Sequence, residues 1–519
     1  MRISDCVERA TQINADGPAT VFGERISTWA QINDRVARLA AGLVQLGAMP
    51  GTRVAMLAFN SDRYLEFILA VSWFAGLFVP INTRLAVPEI RFWLEDSGSE
   101  VVIVDDSFVE PALALRKKGI AVTHWLYAGE GTTPDGFVDF EELIAGSVPV
   151  GPQRGDARAA AGIFYTGGTT GRSKGVVHSH ASLLASAMHL LAHLRWDRMT
   201  NYLHAAPMFH LADGAGTFAT LLTAGCHTMI PRFGAATMAE AIEEYRVTTS
   251  VVVPTMLKLL VEEPTTRDRD LSSLTSLVYG GSPIPMSVQR TAAEVIGQVE
   301  LYQLYGQTEA APMLTILGPE YHVIDGPRAK YNRSAGRAAI GCQVAIVGPD
   351  GQALGPGHEG EICGRGDNVM LGYWNQPELT EQTLRAGWLH TGDIGYLNGD
   401  GFLFVVDRAK DMIVSGGENV YSTEVENAIH GHPAVAECAV IGIPSRQWGE
   451  QVHAVVRLRE GRELTEEELL NHCRGLIASY KVPRSVRFHD EPLPTSAAGK
   501  LLKSVLREPY WASHTERVH

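Results

Sequence analysis

Residues 165–175 read YTGGTTGRSKG, a dense run of glycine and threonine that ends in basic residues. The strand-like segment 161–164 precedes this run, and the apolar residues 176–177 follow it. Glycines let a backbone wrap closely around an anion, hydroxyl groups donate to phosphate oxygens, and a lysine neutralises charge. The run therefore predicts a polyphosphate-binding loop between two strands.

Two other phosphate-loop and nucleophile motifs overlap this run in part. It is not a Walker A loop, because Arg172 and Ser173 stand between Gly171 and Lys174. Residues 171–175 also fit GxSxG, which would make Ser173 the nucleophile of a serine acyl hydrolase. That interpretation explains none of the preceding glycines and threonines. A further glycine pattern, GAGTFA at 214–219, lacks a preceding strand and indicates close packing, not dinucleotide binding.

Outward from the loop, helix-like and strand-like segments alternate. Residues 27–48 have apolar residues at helical spacing behind a Ser27 cap, and a strand is predicted at 53–57. A second pair follows, with a helix at 89–96 and a buried strand at 100–104. This alternation predicts an α/β fold whose large N-terminal domain is built from helix-covered sheets.

The pattern changes after residue 340 to short alternating strands, at 343–347, 361–363 and 401–406, which predict a β-rich subdomain. Helices at 422–430 and 465–479 and strands at 437–441 and 452–458 then predict a small α+β domain. We expect an N-terminal domain at 1–407, a hinge at 408–410, and a mobile C-terminal domain at 411–519.

Composition excludes several functional classes. The 519 residues carry a formal net charge of −14 and no basic cluster, which argues against nucleic-acid binding. The six cysteines have no paired metal-ligand spacing, so we expect reduced thiols in a cytoplasmic protein, with no disulfide and no zinc. The most apolar run, 67–81, is shorter than the ~20 residues that a membrane span needs. The N-terminus lacks the apolar segment of a secretory signal.

The loop resembles the phosphate loop of AMP-forming acid–CoA ligases, which are members of the adenylate-forming superfamily. The family usually has proline directly before the loop lysine, and Ser173 stands there in this chain. The resemblance implies that the loop binds the ATP phosphates through Thr166, Gly167, Gly168, Thr169, Thr170, Gly171 and Lys174. It further implies that Thr169 and Lys174 are catalytic and that Thr169 is a ligand of Mg²⁺.

Further segments resemble the family's motifs in their usual order. YGQTE at 305–309 resembles the second nucleotide motif, which implies nucleotide contacts for Tyr305, Gly306, Gln307 and Thr308 and a magnesium ligand in Glu309. YGGSP at 279–283 resembles the segment lining the adenine and acyl pockets, with Gly281 and Ser282. LHTGD at 389–393 and DRAKD at 407–411 resemble the ribose and hinge motifs, with Asp393, Arg408 and a pivot at Lys410.

The C-terminal motifs complete the resemblance, which spans roughly residues 20–505. Residues 415–421 resemble the loop that lines the pantetheine channel, with Gly416 and Gly417. Trp448, Tyr480 and Arg484 fall where related ligases contact coenzyme A, although the aromatic residues are equally compatible with core or rim positions. PTSAAGK at 494–500 resembles the motif of the catalytic lysine, here Lys500.

The resemblance implies a two-step reaction in one pocket: ATP and Mg²⁺ convert a carboxylic acid into acyl-AMP, and a domain rotation then admits coenzyme A. His210, in PMFHLADG at 207–214, is expected at the carboxylate, or else is a hydrogen-bonded core histidine. Leu211 replaces the aspartate of amino-acid-activating relatives. Small residues nearby favour a fatty, alicyclic or aryl monocarboxylic acid. Asp213 either caps a helix or recognises a polar group of the substrate.

Two alternatives stay open beside this interpretation. One is an adenylation enzyme that loads a carrier protein, and the more remote one is the hydrolase that uses Ser173. The expected partners are the acid, ATP and coenzyme A, without nucleic acid or integral membrane contact. A homodimer is left open.

Overall fold

The structure is a computed structural model that describes residues 1–166, 173–281, 284, 286–297, 299–408, 411–415, 418–445, 448–495 and 501–512. The side chains of residues 407, 408, 414, 418, 419 and 449 are outside that description. The helices in chain order are α1 (Ile3–Asn14), α2 (Trp29–Gln45), α3 (Asp62–Trp73), α4 (Val87–Ser97), α5 (Val109–Lys117), α6 (Phe140–Gly146), α7 (His180–Leu191), α8 (Leu211–Thr223), α9 (Ala235–Tyr245), α10 (Pro254–Glu262), α11 (Met286–Val295), α12 (Pro377–Thr383), α13 (Ser422–His430), α14 (Glu466–Arg474) and α15 (Lys503–Trp511).

The strands alternate with these helices through most of the chain. They are β1 (Pro18–Phe22), β2 (Arg25–Thr28), β3 (Arg53–Leu57), β4 (Leu77–Pro80), β5 (Val101–Val104), β6 (His124–Tyr127), β7 (Val138–Asp139), β8 (Ala160–Thr166), β9 (Lys174–Ser179), β10 (Asn201–His204), β11 (Cys226–Met229), β12 (Thr249–Val252), β13 (Ser276–Gly280), β14 (Glu300–Tyr305), β15 (Thr315–Leu317), β16 (Arg337–Ala338), β17 (Cys342–Val347), β18 (Gly360–Gly366), β19 (Gly372–Tyr373), β20 (Leu384–Arg385), β21 (Trp388–Leu397), β22 (Leu403–Arg408), β23 (Ile413–Ser415), β24 (Glu418–Val420), β25 (Val435–Ser445), β26 (Gly449–Leu458) and β27 (Ser485–Phe488).

Four sheets organise the described strands. A nine-stranded sheet has the order β16-β15-β14-β13-β12-β10-β11-β1-β2, and an eight-stranded sheet has the order β19-β9-β8-β4-β3-β5-β6-β7. A five-stranded sheet has the order β17-β18-β21-β20 with β22 paired to β21, and another has the order β24-β23-β26-β25 with β27 paired to β26. The central strands of the two large sheets pair in parallel, as helix–strand alternation requires.

Helix α2 shows how the sequence sets the local structure, with one correction. The predicted cap was Ser27, but Ser27 lies in β2, and the hydroxyl of Thr28 accepts the backbone N–H of Gln31. The Gln31 side chain in turn accepts the N–H of Thr28, which completes a capping box. Threonine caps as serine does, so the helix begins at Trp29 and not at residue 27 or 28.

The apolar run at 67–81 forms part of the core, as predicted. It supplies the end of α3 and all of β4, two elements separated by a turn at Ala75, where φ is +63°. Its side chains are buried beside those of α2 and β3. Among the residues that the structure describes, no helix is long and apolar enough to cross a membrane.

The chain divides into two compact units, residues 1–344 with 364–389 and residues 345–363 with 390–519. The predicted fold class is confirmed: the first unit is a large, sheet-based α/β body, and the smaller second unit contains the α+β C-terminal segment. The boundary and hinge at 408–410 stay predictions, as does the mobility of the C-terminal domain. Residues 409–410 lie outside the described part of the chain.

Candidate active site

Strands β8 and β9 carry the two ends of the predicted phosphate loop. They pair antiparallel, and Thr166 at the end of β8 is the register partner of Lys174 at the start of β9. Strand β8 also pairs in parallel with β4, on the side opposite β9. Gly167, Gly168, Thr169, Thr170 and Gly171 lie outside the described residues, so their roles stay predictions.

Tyr165, at the end of β8, is anchored by the ring of Trp93 and the carboxylate of Asp96. Its ring stacks on Trp93 with centroids 4.7 Å apart, and its hydroxyl donates to Oδ2 of Asp96 at 2.6 Å. The indole N–H of Trp374 donates to the Asp96 carbonyl at 3.0 Å. Burial, followed by the hydrogen bond to Asp96, raises the pKa of Tyr165, so its hydroxyl stays a donor. These contacts fix the strand from which the loop departs.

A tyrosine outside the predicted motifs connects the loop lysine to the predicted magnesium ligand. The Tyr373 hydroxyl donates to Oε1 of Glu309 at 2.7 Å, and Lys174 Nζ lies 5.4 Å from the centroid of the same ring. Strand β19 pairs antiparallel with β9, where Tyr373 faces Val176, and this pairing places the ring next to the lysine. Burial and the nearby Glu309 carboxylate raise the pKa of Tyr373. The predicted Lys174 and Glu309 are therefore brought together.

The turn that carries Glu309 follows directly from β14. Gly306 is required after Tyr305, because a Cβ there would lie 2.1 Å from the carbonyl oxygen of Pro312. A short 3-10 helix then spans Thr308–Ala310, and Glu309 is 8% exposed. Its Oε2 has no hydrogen-bond partner among the described residues. A nearly buried carboxylate with one free oxygen is suited to binding a hard cation.

Two buried polar side chains hold this turn by its carbonyl groups. His178 Nε2 donates to the Thr308 carbonyl at 2.7 Å, and Asn368 Nδ2 donates to the carbonyls of Ala310 and Met313 at 2.7 and 2.6 Å. Burial lowers the pKa of His178 to about 4, so the ring is neutral and its Nε2 proton serves as the donor. The position of Glu309 therefore depends on residues from β9 and from the segment before β19.

His210 lies at the N-cap position of α8 and is not a hydrogen-bonded core histidine. Its Nε2 is buried and has no hydrogen-bond partner among the described residues. Burial, and secondarily Arg84, lowers the pKa of His210 to about 4, so its ring is neutral. An unpaired buried nitrogen costs free energy and is best explained by a ligand that supplies the missing partner. This geometry supports the substrate-contact interpretation, although the role stays a prediction.

The contacts of Asp213 fit neither of its two expected roles, a helix cap or a group that recognises the substrate. It lies in the first turn of α8, but its carboxylate is fully buried between α8 and β10. Oδ1 accepts the Tyr202 hydroxyl at 2.9 Å, and Oδ2 accepts His204 Nδ1 at 2.7 Å. Because the carboxylate binds side chains of β10 and no helix N–H group, Asp213 anchors α8 to the sheet.

Gly281 follows β13 with a φ of +87°, a left-handed backbone conformation that favours glycine. Ser282 lies outside the described residues. Tyr305, Gly306, Gln307 and Thr308 are all partly exposed at the end of β14. Their nucleotide contacts stay predictions.

In the second unit, the two predicted ribose ligands are register partners. Asp393 on β21 pairs with Arg408 on β22 in an antiparallel ladder. The turn before Asp393 is fixed by Thr391, whose hydroxyl donates to the Ile362 carbonyl at 2.7 Å and accepts the Asp393 N–H at 3.1 Å. The backbone therefore brings both residues to one site, although the Arg408 side chain lies outside the description.

Trp448 contacts Arg484, and both residues are predicted coenzyme A ligands. The Arg484 guanidinium carbon lies 4.2 Å from the centroid of its indole ring, within the range of a cation–π contact. Tyr480 is 39% exposed. A flat, positively charged surface of this kind suits a nucleotide base and its phosphates. Lys410, Gly416, Gly417 and Lys500 lie outside the described residues.

The hydrolase alternative has no support in the geometry. Ser173 is partly exposed just before β9, and among the described residues no histidine forms a hydrogen bond with it. A serine nucleophile needs a base within hydrogen-bonding reach.

Sequence reasoning missed the side chains that support this site: Asp96, His178, Asn368 and Tyr373. None of them belongs to a glycine-rich motif. The available signal was the run of polar and aromatic residues between 366 and 375, GDNVMLGYWN, which is too polar for an ordinary core strand.

The comparisons with known proteins agree with this geometry. Residues 7–374 match the AMP-binding enzyme family, and residues 424–500 match the AMP-binding enzyme C-terminal domain. The chain is 38% identical to a feruloyl-CoA synthase of Amycolatopsis sp, covering 97% of this chain and 98% of the relative. It is 37% identical to an indoleacetate–CoA ligase of Aromatoleum aromaticum, covering 98% of each chain.

A solved structure extends the likeness to the fold. The o-succinylbenzoate coenzyme A synthetase of Bacillus subtilis, in complex with ATP and a magnesium ion, superimposes with a TM-score of 0.83. It is 29% identical and covers 96% of this chain and 98% of that chain.

Proposed function

Because the chain belongs to the family of AMP-binding enzymes over both its N-terminal and C-terminal parts, we propose that it is an AMP-forming acid–CoA ligase. The reaction has two steps. A carboxylate oxygen attacks the α-phosphorus of ATP and pyrophosphate leaves, which gives acyl-AMP. The thiol of coenzyme A then attacks the acyl carbon, and AMP leaves as the thioester forms. The acid-CoA ligase names of relatives that match nearly the whole chain support this assignment.

The arrangement of Lys174 and Glu309 carries the first step of the proposal. The lysine ammonium begins β9 directly after the phosphate loop and lies where it would neutralise charge on ATP phosphates. Preorganised charges at the point where negative charge develops lower the barrier more than contacts made equally in the ground state. Tyr373 holds the carboxylate beside the lysine without placing the two charges in direct contact.

Mg²⁺ fits the donor set at Glu309. The carboxylate is a hard oxygen ligand, one of its oxygens has no described partner, and Thr169 of the phosphate loop is the second predicted ligand. When bound, the ion neutralises charge on the phosphate oxygens of ATP and its leaving pyrophosphate. Glu309 and Thr169 would hold the ion, while Tyr373 fixes one oxygen of Glu309 and His178 fixes the turn.

We propose that the acid is a hydrophobic monocarboxylic acid, fatty, alicyclic or aryl, whose carboxylate lies at His210. The neutral ring with its unpaired buried Nε2 would form a hydrogen bond with the substrate's carboxyl group. Ala212 is exposed in the first turn of α8 and leaves room beside the histidine. Asp213 is withdrawn into the core, so it offers no partner to an ammonium group. The feruloyl and indoleacetate ligases among the relatives favour an aryl acid.

For the second step, we propose that the C-terminal domain at 411–519 rotates about a hinge at 408–410. Lys500 would stabilise the first transition state, and Gly416 and Gly417 would line the pantetheine channel after the rotation. The contact between Arg484 and Trp448 supports a place for the nucleotide end of coenzyme A.

A cytoplasmic location is supported by six free cysteines. A homodimer stays a prediction.

The single observation that carries the proposal is the Lys174–Tyr373–Glu309 arrangement, in a chain whose residues 7–374 and 424–500 match the AMP-binding enzyme family and its C-terminal domain. The test is pyrophosphate release over a panel of fatty, aryl, amino and dicarboxylic acids, with coenzyme A or with a holo carrier protein as acceptor. We expect release with aryl or fatty acids and transfer to coenzyme A. Transfer only to the carrier protein would identify the adenylation alternative. Hydrolysis without ATP that Ser173→Ala abolishes would identify the hydrolase.

A further inference from the structure

Strands β18 and β21 bring together three different metal-ligating side chains within the second unit. Glu361 and Cys363 lie on β18, and His390 lies on β21. His390 Nδ1 is 2.7 Å from Glu361 Oε2 and 3.3 Å from Cys363 Sγ, and all three ligand atoms lie within 4.8 Å of one another. A thiol, an imidazole and a carboxylate therefore point at one place.

These three ligand types select a particular class of ion. Thiolate and imidazole favour Zn²⁺ and similar divalent transition metals, whereas Mg²⁺ and Ca²⁺ prefer oxygen ligands alone. Bonds of about 2.0 to 2.3 Å to zinc place neighbouring ligands a little over 3 Å apart. The two separations that involve His390 Nδ1 differ from that spacing by less than about 1 Å, and the third is at most 4.8 Å, so side-chain rotations would bring the ligands together.

Burial of the cluster is graded from one side to the other. Cys363 is 1% exposed, whereas the side chains of His390 and Glu361 are 13% and 28% exposed. An ion can therefore enter past the carboxylate and reach the buried sulfur. Three protein ligands leave a fourth position for water, as in zinc sites that remain open to exchange.

We propose that Glu361, Cys363 and His390 form a binding site for a zinc-like divalent transition-metal ion, separate from the magnesium ligand Glu309. On binding, the Cys363 thiol releases its proton to solvent and a sulfur–metal bond forms. The proton that His390 Nδ1 donates to Glu361 in the metal-free site moves through solvent to Nε2, so that the Nδ1 lone pair binds the metal. Glu361 exchanges its hydrogen bond with Nδ1 for a bond to the metal.

The site adjoins the turn that leads to Asp393. Glu361 Oε1 accepts the backbone N–H of Gly392 at 3.2 Å, so the same carboxylate connects the cluster to that turn.

No zinc site was expected from the sequence because its ligands are far apart in the chain. Cys363 has no second cysteine nearby in sequence, and His390 comes from another strand. Metal binding at this site does not depend on the proposed reaction.

Cobalt(II) provides the test because it occupies zinc sites and its thiolate complexes absorb in the near ultraviolet. The full chain is titrated with Co²⁺ alone, and the thiolate-to-cobalt absorption is followed, then displaced with Zn²⁺. Cys363→Ser is the test variant. Cys342→Ser is the matched control, because Cys342 Sγ also lies near a histidine, 3.5 Å from His189 Nδ1, yet belongs to no three-ligand group among the described residues.

We expect saturable absorption with one cobalt per chain, displaced by zinc, in the unmodified protein and in Cys342→Ser. Cys363→Ser should lack the thiolate absorption, and Glu361→Gln should retain it with affinity weakened at least about tenfold. Absence of the absorption from the unmodified protein would overturn the proposal, and so would its loss in Cys342→Ser with retention in Cys363→Ser.

Discussion

The hydroxyl of Tyr373 donates a 2.7 Å hydrogen bond to Oε1 of Glu309. These residues are 64 positions apart in sequence, and their bond joins β19, at the edge of the eight-stranded sheet, to the turn that follows β14 of the nine-stranded sheet. The same ring faces Lys174 Nζ at 5.4 Å. Tyr373 is thus a positioning residue: it orients the carboxylate while its ring separates that carboxylate from the lysine.

Tyr373→Phe should lower kcat/KM for pyrophosphate release about ten- to a hundredfold, because a hydrogen bond to a charged group contributes about 1.5–3 kcal/mol. The Mg²⁺ concentration needed for half-maximal rate should rise, a change that a purely structural role would not produce. Tyr127→Phe is the matched control: the Tyr127 hydroxyl also donates to a carboxylate, that of Asp106, and Tyr127 lies on β6, six strands from β19 in the same sheet. Equal losses in both variants would contradict the positioning role.

His178 should make folding stability depend on pH. Burial lowers its folded-state pKa to about 4, below the ordinary 6.5, so the unfolded chain binds a proton more readily. This contribution is fully present above pH 6.5 and is lost as the pH falls toward 4. Between pH 8 and pH 5 it amounts to about 2 kcal/mol.

The measurement is the free energy of unfolding by urea at these two pH values for the unmodified protein and His178→Gln. Glutamine keeps a donor for the Thr308 carbonyl but does not titrate. The destabilisation of the variant should therefore be smaller at pH 5 than at pH 8. A difference between the proteins that is the same at both pH values would refute the assignment of a neutral, buried ring.

Asp213→Asn should lower stability without changing which acids react. Asparagine has an NH2 group in place of one carboxylate oxygen, so one of the two groups that donate to Asp213, the His204 ring or the Tyr202 hydroxyl, would face a second donor. The lost hydrogen bond should cost about 1–3 kcal/mol. Tyr202→Phe, which removes one bond to the same carboxylate, should give a smaller loss. Urea unfolding and the acid panel measure the two properties. A changed order of preferred acids in Asp213→Asn, with unchanged stability, would restore the substrate-recognition role.

Lys500→Ala should abolish acyl-AMP formation while thioester formation from supplied acyl-AMP continues, because the lysine acts on charge that develops only in the first transition state. Lys503→Ala is the control. Its Nζ lies 2.8 Å from Glu426 Oε1, so it is a structural lysine three residues away, and both half-reactions should survive its loss. Loss of both half-reactions in Lys500→Ala would count against the two-conformation model.

The sequence was a good guide to local structure and to individual site residues. Helix α13 has the predicted bounds, β3 has the predicted bounds, and Lys174 and Glu309 were identified singly. Cap choice was one residue off at α2, because serine and threonine are close in capping preference and the strand β2 extends through Ser27 to Thr28.

What the sequence did not predict was the set of contacts between distant segments. Tyr373 and His178 belong to the eight-stranded sheet and reach a turn that follows β14 of the nine-stranded sheet. His390 reaches Cys363 because β21 and β18 are neighbours in a sheet. Strand order is decided by the packing of the whole chain and leaves no local pattern. Asp213 shows the converse, since its position in a pocket-lining segment suggested a ligand, but its side chain faces the core.

The central claim is tested most directly by the product balance of a single reaction mixture that contains ATP, Mg²⁺, coenzyme A and an acid from the reactive part of the panel. Mass spectrometry should find AMP, pyrophosphate and acyl-CoA in equal amounts, and acyl-AMP should accumulate on the enzyme when coenzyme A is withheld. Formation of ADP and phosphate, or of acyl-CoA with no acyl-AMP at any stage, would contradict the account.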